Sequence, residues 1–199
     1  MGSKTDLVNL ALAHMGEESF DSIALDPPPP KLAKILGQYE DAVDWVLRRH
    51  PWLCTLEYLS LTLSNQAGNW KFPYIYELPK GSIRVWEVKA ACKYSVGTLL
   101  DEDGAVRHVL FATASTTVNV AVGVRRPPEA FNPDVYTAAS YELAARAAGP
   151  ITNDPEIVNR CAKRAREAIP LGQGAEATEQ GGEDPLIHFG LTQVRESAF

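Results

Sequence analysis

The chain has 199 residues, of which 45% are hydrophobic, and its formal net charge is −6. This length and apolar content are enough for one ordinary hydrophobic core. The acidic balance argues against a general nucleic-acid-binding protein, which usually carries a basic surface. Cys54, Cys92 and Cys161 follow no metal-ligand spacing, so we expect reduced thiols. We also find no pattern typical of a signal peptide and no stretch long enough to predict a membrane span.

Two helices are predicted in residues 1–52. Residues 3–15 begin at the capping residue Ser3 and end before Gly16, which favours a left-handed stop. Residues 30–50 carry the strongest amphipathic pattern in the chain, because apolar residues recur there at steps of three and four. Pro51 disfavours helical geometry at His50, so we expect the second helix to end at that histidine.

The middle of the chain, residues 53–131, predicts β-structure. Residues 83–88 alternate apolar and polar side chains, as a half-exposed strand does. Residues 94–100 and 106–111 flank a segment ending in Asp103-Gly104, a pair typical of hairpin turns. Residues 116–124, rich in valine and threonine, predict another strand. We therefore expect one small antiparallel sheet.

Helical patterns return at Asn132-Pro133 and at Asn153-Asp154-Pro155. We expect these helices to end at Gly149-Pro150 and at Pro170. The prediction is an α+β fold that is mainly α, namely a four-helix bundle with an inserted small antiparallel β-sheet platform and an extended C-terminal tail. In this scheme the bundle is residues 1–52 and 132–170, the platform is residues 53–131, and the tail is residues 171–199.

The predicted tail has two parts. Its first part is rich in Gly, Gln and Glu without apolar periodicity, which predicts a flexible linker. Its last part regains apolar residues, which either fold back on the protein's own helices or dock on another protein. We favour docking. The predicted docking residues are Pro185, Leu186, Ile187, Phe189, Leu191, Val194 and Phe199.

Basic residues form a second candidate interface, towards an acidic protein surface or towards passing DNA. The alternative is an ordinary solvated surface in which positive charge interacts with helix ends. Residues 171–199 carry a net charge of −4 and the rest of the chain −2. The predicted interface or DNA-facing residues are Arg125, Arg126, Arg160, Lys163 and Arg164.

No catalytic, cofactor-binding or metal-binding motif is present in the sequence. The four histidines are isolated, and the glycines after residue 171 lack the lysine and hydroxyl residue of a phosphate loop. Two acidic clusters could supply the paired carboxylates of a glycan hydrolase, namely Glu17-Glu18 and Asp101-Glu102-Asp103. Because acidic loop residues are usually just solvated, we predict that the protein is not an enzyme and has no cofactor.

Three sequence blocks carry a resemblance to a known family. They are LVNLALAHMGEESFDSIALD at residues 7–26, YEDAVDWVLRRHPWLCTLEYLSL at residues 39–61, and YIYELP at residues 74–79 followed by IRV at residues 83–85. Together and in this order they resemble the head-to-tail adaptor proteins of bacteriophages. That family includes the tail tubular protein A and tail accessory factor of short-tailed phages and the adaptors of gene transfer agents.

The resemblance implies a structural virion protein without an active site. Such adaptors form a ring, usually of twelve copies, in the neck of the virion, after assembly in the host cytoplasm. The implied partners are the portal protein, reached through the C-terminal tail, neighbouring adaptor copies, a downstream tail or nozzle protein, and the genomic DNA that passes through the channel, with no membrane. The alternatives are a peptidoglycan hydrolase activity carried by a tail protein and another head- or tail-completion protein.

Overall fold

The computed structural model describes residues 2–100, 104 and 106–179. These residues form two compact units. The helical unit contains residues up to 54 and from 126 onwards, and the β unit contains residues 55–125. All seven predicted docking residues lie outside the described residues, as do residues 101–103 of the predicted hairpin turn.

Four helices make up the helical unit: α1 (Lys4–Met15), α2 (Pro30–Leu47), α3 (Pro133–Thr152) and α4 (Pro155–Glu179). The predicted start and stop of α1 are confirmed, because Ser3 forms a capping box with Asp6 and Gly16 adopts the left-handed conformation. Helix α2 ends earlier than predicted, at Leu47. Shortly after this end, the indole N–H of Trp52 donates to the carbonyl of Val46 at 2.9 Å.

Helix α3 is the centre of the helical unit. It packs against α1, α2 and α4, whereas α1 and α2 make little contact with each other. Its buried positions are mostly alanines, which allow neighbouring helices to approach closely. They are Val135, Ala138, Ala139, Ser140, Leu143, Ala144, Ala147 and Ala148.

The β unit contains six strands: β1 (Leu56–Ser60), β2 (Tyr74–Glu77), β3 (Ser82–Lys89), β4 (Tyr94–Leu100), β5 (Val106–Ala112) and β6 (Asn119–Val124). They form two three-stranded antiparallel sheets, with the orders β1-β6-β3 and β2-β5-β4. The unit has a hydrophobic core of its own. Its buried residues are Leu61, Tyr76, Leu110, Ala112, Val118, Val120, Val122 and Val124.

The predicted fold class, a mainly helical four-helix bundle with one inserted sheet, is wrong. The structure is a mixed α+β fold with about 45% helix and 22% strand. In a four-helix bundle every helix borders a shared central core, whereas here α3 itself lies among the other three helices. The strands form two sheets around a separate core rather than a single platform.

Two prolines do not end helices where the sequence predicted. Helix α3 continues past Pro150, and α4 continues past Pro170 to Glu179, so the first nine residues of the predicted tail are helical. A proline inside a helix removes one backbone hydrogen bond and strains the preceding turn. In α4 this cost is offset by contacts beyond the proline, where Gly172 and Glu176 are both buried.

Candidate functional site

The last turns of α4 are held by one buried carboxylate, that of Glu176. Only 1% of this residue is exposed. The side-chain amide of Asn132 donates to Oε1 at 2.6 Å, and the backbone N–H of Leu53 lies 3.3 Å from both carboxylate oxygens. Nε2 of His50 lies 3.4 Å from Oε2. A buried carboxylate needs such partners, because an unsatisfied charge inside a protein is costly.

These partners connect α4 to two other elements. Asn132 is the N-cap of α3, where its Oδ1 accepts the backbone N–H of Val135 at 2.9 Å. His50 and Leu53 lie just after the end of α2. Glu176 therefore ties the end of α4 to the beginning of α3 and to the segment after α2.

Trp52 packs in the same place, beside the partners of the carboxylate. It is completely buried, and the ring of His50 meets its ring edge-on at 4.8 Å. A Cβ atom on Gly172 would lie only 3.1 Å from the Trp52 ring, so glycine is what allows α4 to approach this closely. We call Trp52, Gly172 and Glu176, with the partners Asn132 and His50, the α4 anchor.

The thiol of Cys54 borders the α4 anchor and is not activated. Burial raises the pKa of Cys54, and the negative charge of Glu176 raises it further, against a backbone hydrogen bond from Asn132 that lowers it. A thiol with a raised pKa stays protonated at neutral pH and is a poor nucleophile. The anchor is thus built to hold a helix and offers no nucleophile at this position.

Three of the predicted interface residues, Arg160, Lys163 and Arg164, are exposed on α4. Arg160 donates to the backbone carbonyl of His14 at 3.3 Å. Lys163 and Arg164 lie 3.9 and 3.6 Å from carboxylate oxygens of Glu167. Exposed pairs of this kind contribute little to stability. This face of α4 therefore carries more positive than negative charge.

The other two predicted interface residues, Arg125 and Arg126, are half-buried and lie on either side of the boundary between the units. The backbone N–H of Arg125 donates to the carbonyl of Gly81 at 2.8 Å, which joins the end of β6 to the turn before β3. Arg126 begins the second part of the helical unit.

His14, at the end of α1, contacts α3 beside this basic face. Its ring stacks on Tyr141 with 3.9 Å between centroids, and its Nε2 lies 3.0 Å from Oγ of Ser140. Because the Ser140 hydroxyl donates to the carbonyl of Thr137 at 2.8 Å, we infer that Nε2 of His14 carries the hydrogen. Burial lowers the pKa of His14.

A pH dependence of stability is expected from His14. Its folded-state pKa lies below the ordinary value of 6.5, so the unfolded chain binds the proton first as the pH falls. The free energy of unfolding should therefore decrease as the pH drops through 6.5, until the folded protein also titrates. Urea unfolding at a series of pH values should show a smaller decrease for His14→Gln, which keeps a donor for Ser140 but does not titrate. Equal slopes for both proteins would contradict this assignment.

Of the two acidic clusters of the hydrolase alternative, only Glu17-Glu18 lies among the described residues. Glu17 makes a salt bridge with Lys31, and Glu18 is exposed; Asp101-Glu102-Asp103 lies outside the described residues. In the part of the chain that the structure covers, no three His, Cys, Asp or Glu side chains are grouped as a metal site. No helix in that part is long and apolar enough to cross a membrane.

Glu176 and Gly172 were not predicted as structural residues, because they lie in the segment that was predicted to be a flexible linker. A signal for them was present. Buried residues along α4 recur at steps of three and four and continue through Pro170. Because the later members of this series are small or charged, they do not count as apolar in a periodicity search. The series is Cys161, Ala165, Ala168, Gly172 and Glu176.

A scan against protein-family models finds no family that matches the chain, and a search of curated proteins finds no significant match.

Proposed function

We propose that this protein is a head-to-tail adaptor of a bacteriophage, a structural component that joins the portal to the tail. The observation that carries the proposal is the α4 anchor together with the chain beyond it. Glu176 holds α4 in place as far as its last turn, and the 20 residues after Glu179 include the apolar residues Leu186, Ile187, Phe189, Leu191, Val194 and Phe199. A segment that starts from a fixed point and ends in apolar residues is suited to capture a neighbouring protein.

Two further features support this proposal. Three sequence blocks resemble the adaptor family and occur in the family's order. Three matches in the same order arise by chance less often than a single match does. The chain also separates a helical unit, which bears the C-terminal segment, from a β unit with its own core. Two units of this kind give an adaptor one surface for each neighbour.

In the proposed assembly, copies of the adaptor form a ring, with twelve as the expected number, in the neck of the virion. Ring symmetry converts a modest contact per copy into a stable attachment, because all segments engage the portal together. The other faces contact neighbouring copies and the downstream tail or nozzle protein. The basic face of α4, with Arg160, Lys163 and Arg164, is the proposed surface towards acidic groups, including the phosphates of the passing DNA.

The proposal predicts that the segment after Glu179 is required for attachment to the portal. A chain with the double change Leu186→Asp and Ile187→Asp should lose portal binding by about 100-fold or more, because burying each large apolar side chain contributes about 1.5–3 kcal/mol. Co-sedimentation of the adaptor with portal-containing heads measures this. Thr192→Asp, at a polar position of the same segment, is the matched control and should bind normally.

Unchanged binding of the double variant would contradict the docking role of the segment.

Each alternative function predicts a different experimental result. Clearing of peptidoglycan in a gel assay, lost on changing Glu18 to Gln, would indicate a hydrolase. Attachment at a different level of the particle neck, seen by electron microscopy, would indicate another head- or tail-completion protein.

A further inference from the structure

An open groove of about 550 Å³ runs along the helical unit between α2, α3 and α4. We propose that in the free protein this groove holds the chain's own C-terminal segment, residues 185–199. We call this groove the Trp45 groove, and residues 185–199 the C-terminal segment. The residues that carry the argument are Trp45, Arg49, Ala162, Arg166, Ile169 and Pro170.

The shape of the Trp45 groove results from its residue types. Small side chains, among them Ala145, Ala162 and Ala165, leave space between α3 and α4. Trp45 borders this space and is 42% exposed, although large aromatic side chains are normally mostly buried. Pro170 has no N–H to donate to the carbonyl of Arg166, one turn earlier in α4, so this carbonyl can accept a hydrogen bond from a docked chain.

The charge of the groove is positive. Arg49 lies over the Trp45 ring at 3.6 Å, and Arg166, which lines the groove from α4, is exposed. The one acidic lining residue, Glu142, is already paired with Arg146 at 2.7 Å. Within the described chain, no carboxylate pairs with Arg49 or Arg166. The groove therefore combines small apolar side chains and the Trp45 ring with two arginines that form no salt bridge within the described chain.

The C-terminal segment has the complementary chemistry. Glu183 and Asp184 directly precede its apolar residues, and Glu196 lies near its end, against a single Arg195. The acidic residues that directly precede the segment would meet the arginines, while Leu186, Ile187 and Phe189 cover Trp45 and the alanines. Aromatic and arginine residues of this kind are enriched at binding hot spots.

The same copy is the occupant that the chain length favours. Gln173 lines the groove only six residues before α4 ends at Glu179, a distance of about 9 Å along a helix. Residues 180–184, which include Gly181 and Gly182, can span up to about 17 Å, enough to reverse direction and reach the groove. A short tether of this kind gives a local concentration in the millimolar range, which a second copy in dilute solution does not reach.

This contact goes beyond the proposed function, because it concerns the adaptor before it meets the portal. The segment that attaches to the portal would first have to leave the Trp45 groove. The groove then competes with the portal for the same apolar residues, which delays docking until the multivalent portal surface is present.

Hydrogen exchange of the full-length protein in dilute solution tests the inference. Backbone amides of residues 186–199 should exchange at least about 10-fold more slowly than expected for an unstructured chain. Trp45→Ala should remove this protection. Trp70→Ala is the matched control, because Trp70 is a 94% exposed tryptophan of the β unit, and it should leave the protection unchanged.

A second pair of variants covers the case in which Trp45→Ala fails to fold. The double change Arg49→Glu and Arg166→Glu alters only exposed side chains and should also remove the protection. Lys163→Glu, an exposed change on α4 that does not line the groove, should not. Protection that is missing at all concentrations, or that rises with protein concentration as for a second copy, would overturn the inference.

Binding to portal-containing heads separates this inference from the proposed function. If both hold, Trp45→Ala should bind the heads several-fold more tightly than the natural chain, because the competing contact is gone. Tight portal binding without any protection in the free protein would overturn the groove contact alone. Protection in the free protein without portal binding would overturn the adaptor proposal alone.

Discussion

Replacing Trp52 by alanine should lower the free energy of unfolding of the helical unit by about 3–5 kcal/mol. The side chain is completely buried, and its indole N–H donates to the carbonyl of Val46 at 2.9 Å. Alanine would leave a cavity between the end of α2 and the part of α4 that begins at Gly172, where a Cβ atom would lie only 3.1 Å from the Trp52 ring. It would also leave the Val46 carbonyl without this donor.

Urea unfolding followed by far-UV circular dichroism measures the change. Trp70→Ala removes the same side chain from a position that is 94% exposed in the β unit, and should alter stability by no more than about 0.5 kcal/mol. In the Trp52→Ala variant, the rate of amide hydrogen exchange should increase most in the last turns of α4. A loss below about 1 kcal/mol for Trp52→Ala would mean that the tryptophan does not hold α4.

Replacing Glu176 by alanine should cost about 2–4 kcal/mol and release the end of α4. The change leaves the half-buried amide of Asn132 and the backbone N–H of Leu53 without their acceptor. Glu176→Gln should cost less, because the glutamine oxygen can still accept from Asn132, although its amide cannot serve as the second acceptor. The order of stability should therefore be natural chain, glutamine variant, alanine variant.

The control for Glu176 is Glu167→Ala on the same helix. Glu167 makes only exposed pairs with Lys163 and Arg164, so its loss should change stability by no more than about 0.5 kcal/mol. Equal stabilities for Glu176→Ala and Glu167→Ala would show that the buried carboxylate is not an anchor. For the proposed function the consequence is a longer tether, because the residues after Pro170 would no longer be held and the proposed docking segment would lose its fixed starting point.

The α4 anchor also changes how the C-terminal region is divided for experiments. From the sequence, the whole of residues 171–199 was a flexible docking tail. In the structure, deletion from residue 171 would remove Gly172 and Glu176 and disturb the packing of Trp52. A deletion that begins after Glu179 tests docking without this structural damage. If the longer deletion lost portal binding, the loss would have two causes that cannot be separated, namely the missing segment and the disturbed packing of Trp52.

Local chemistry that is confined to a few neighbouring residues was predictable from the sequence. Ser3 and Gly16 mark the limits of α1, and Asn132-Pro133 marks the start of α3, because capping side chains, glycine and proline act through their own backbone. The apolar stripe of α2 was also predictable, because helical periodicity needs no knowledge of its partner. The strands from residue 83 to residue 124 are predictable from alternation in the same way.

The arrangement of these elements was not predictable, because it depends on which surfaces bury each other. Four amphipathic helices are compatible with a bundle, and only the packing shows that α3 lies among the other three. The strand segments are compatible with one sheet, and only the pairing of β1 and β3 with β6 and of β2 and β4 with β5 shows that there are two.

Local patterns along the chain are enough to predict where most helices and strands begin, that the centre of the chain is β-structure, and that apolar residues come after the Gly-rich segment near the C-terminus. The continuation of α4 past Pro170 and the burial of Glu176 depend instead on packing between distant parts of the chain. The physical reason is that a proline's local cost is constant, whereas the burial that offsets it comes from residues distant in the sequence, Trp52 and Asn132. The same distant packing decided the position of the Trp45 groove, which three separate helices form.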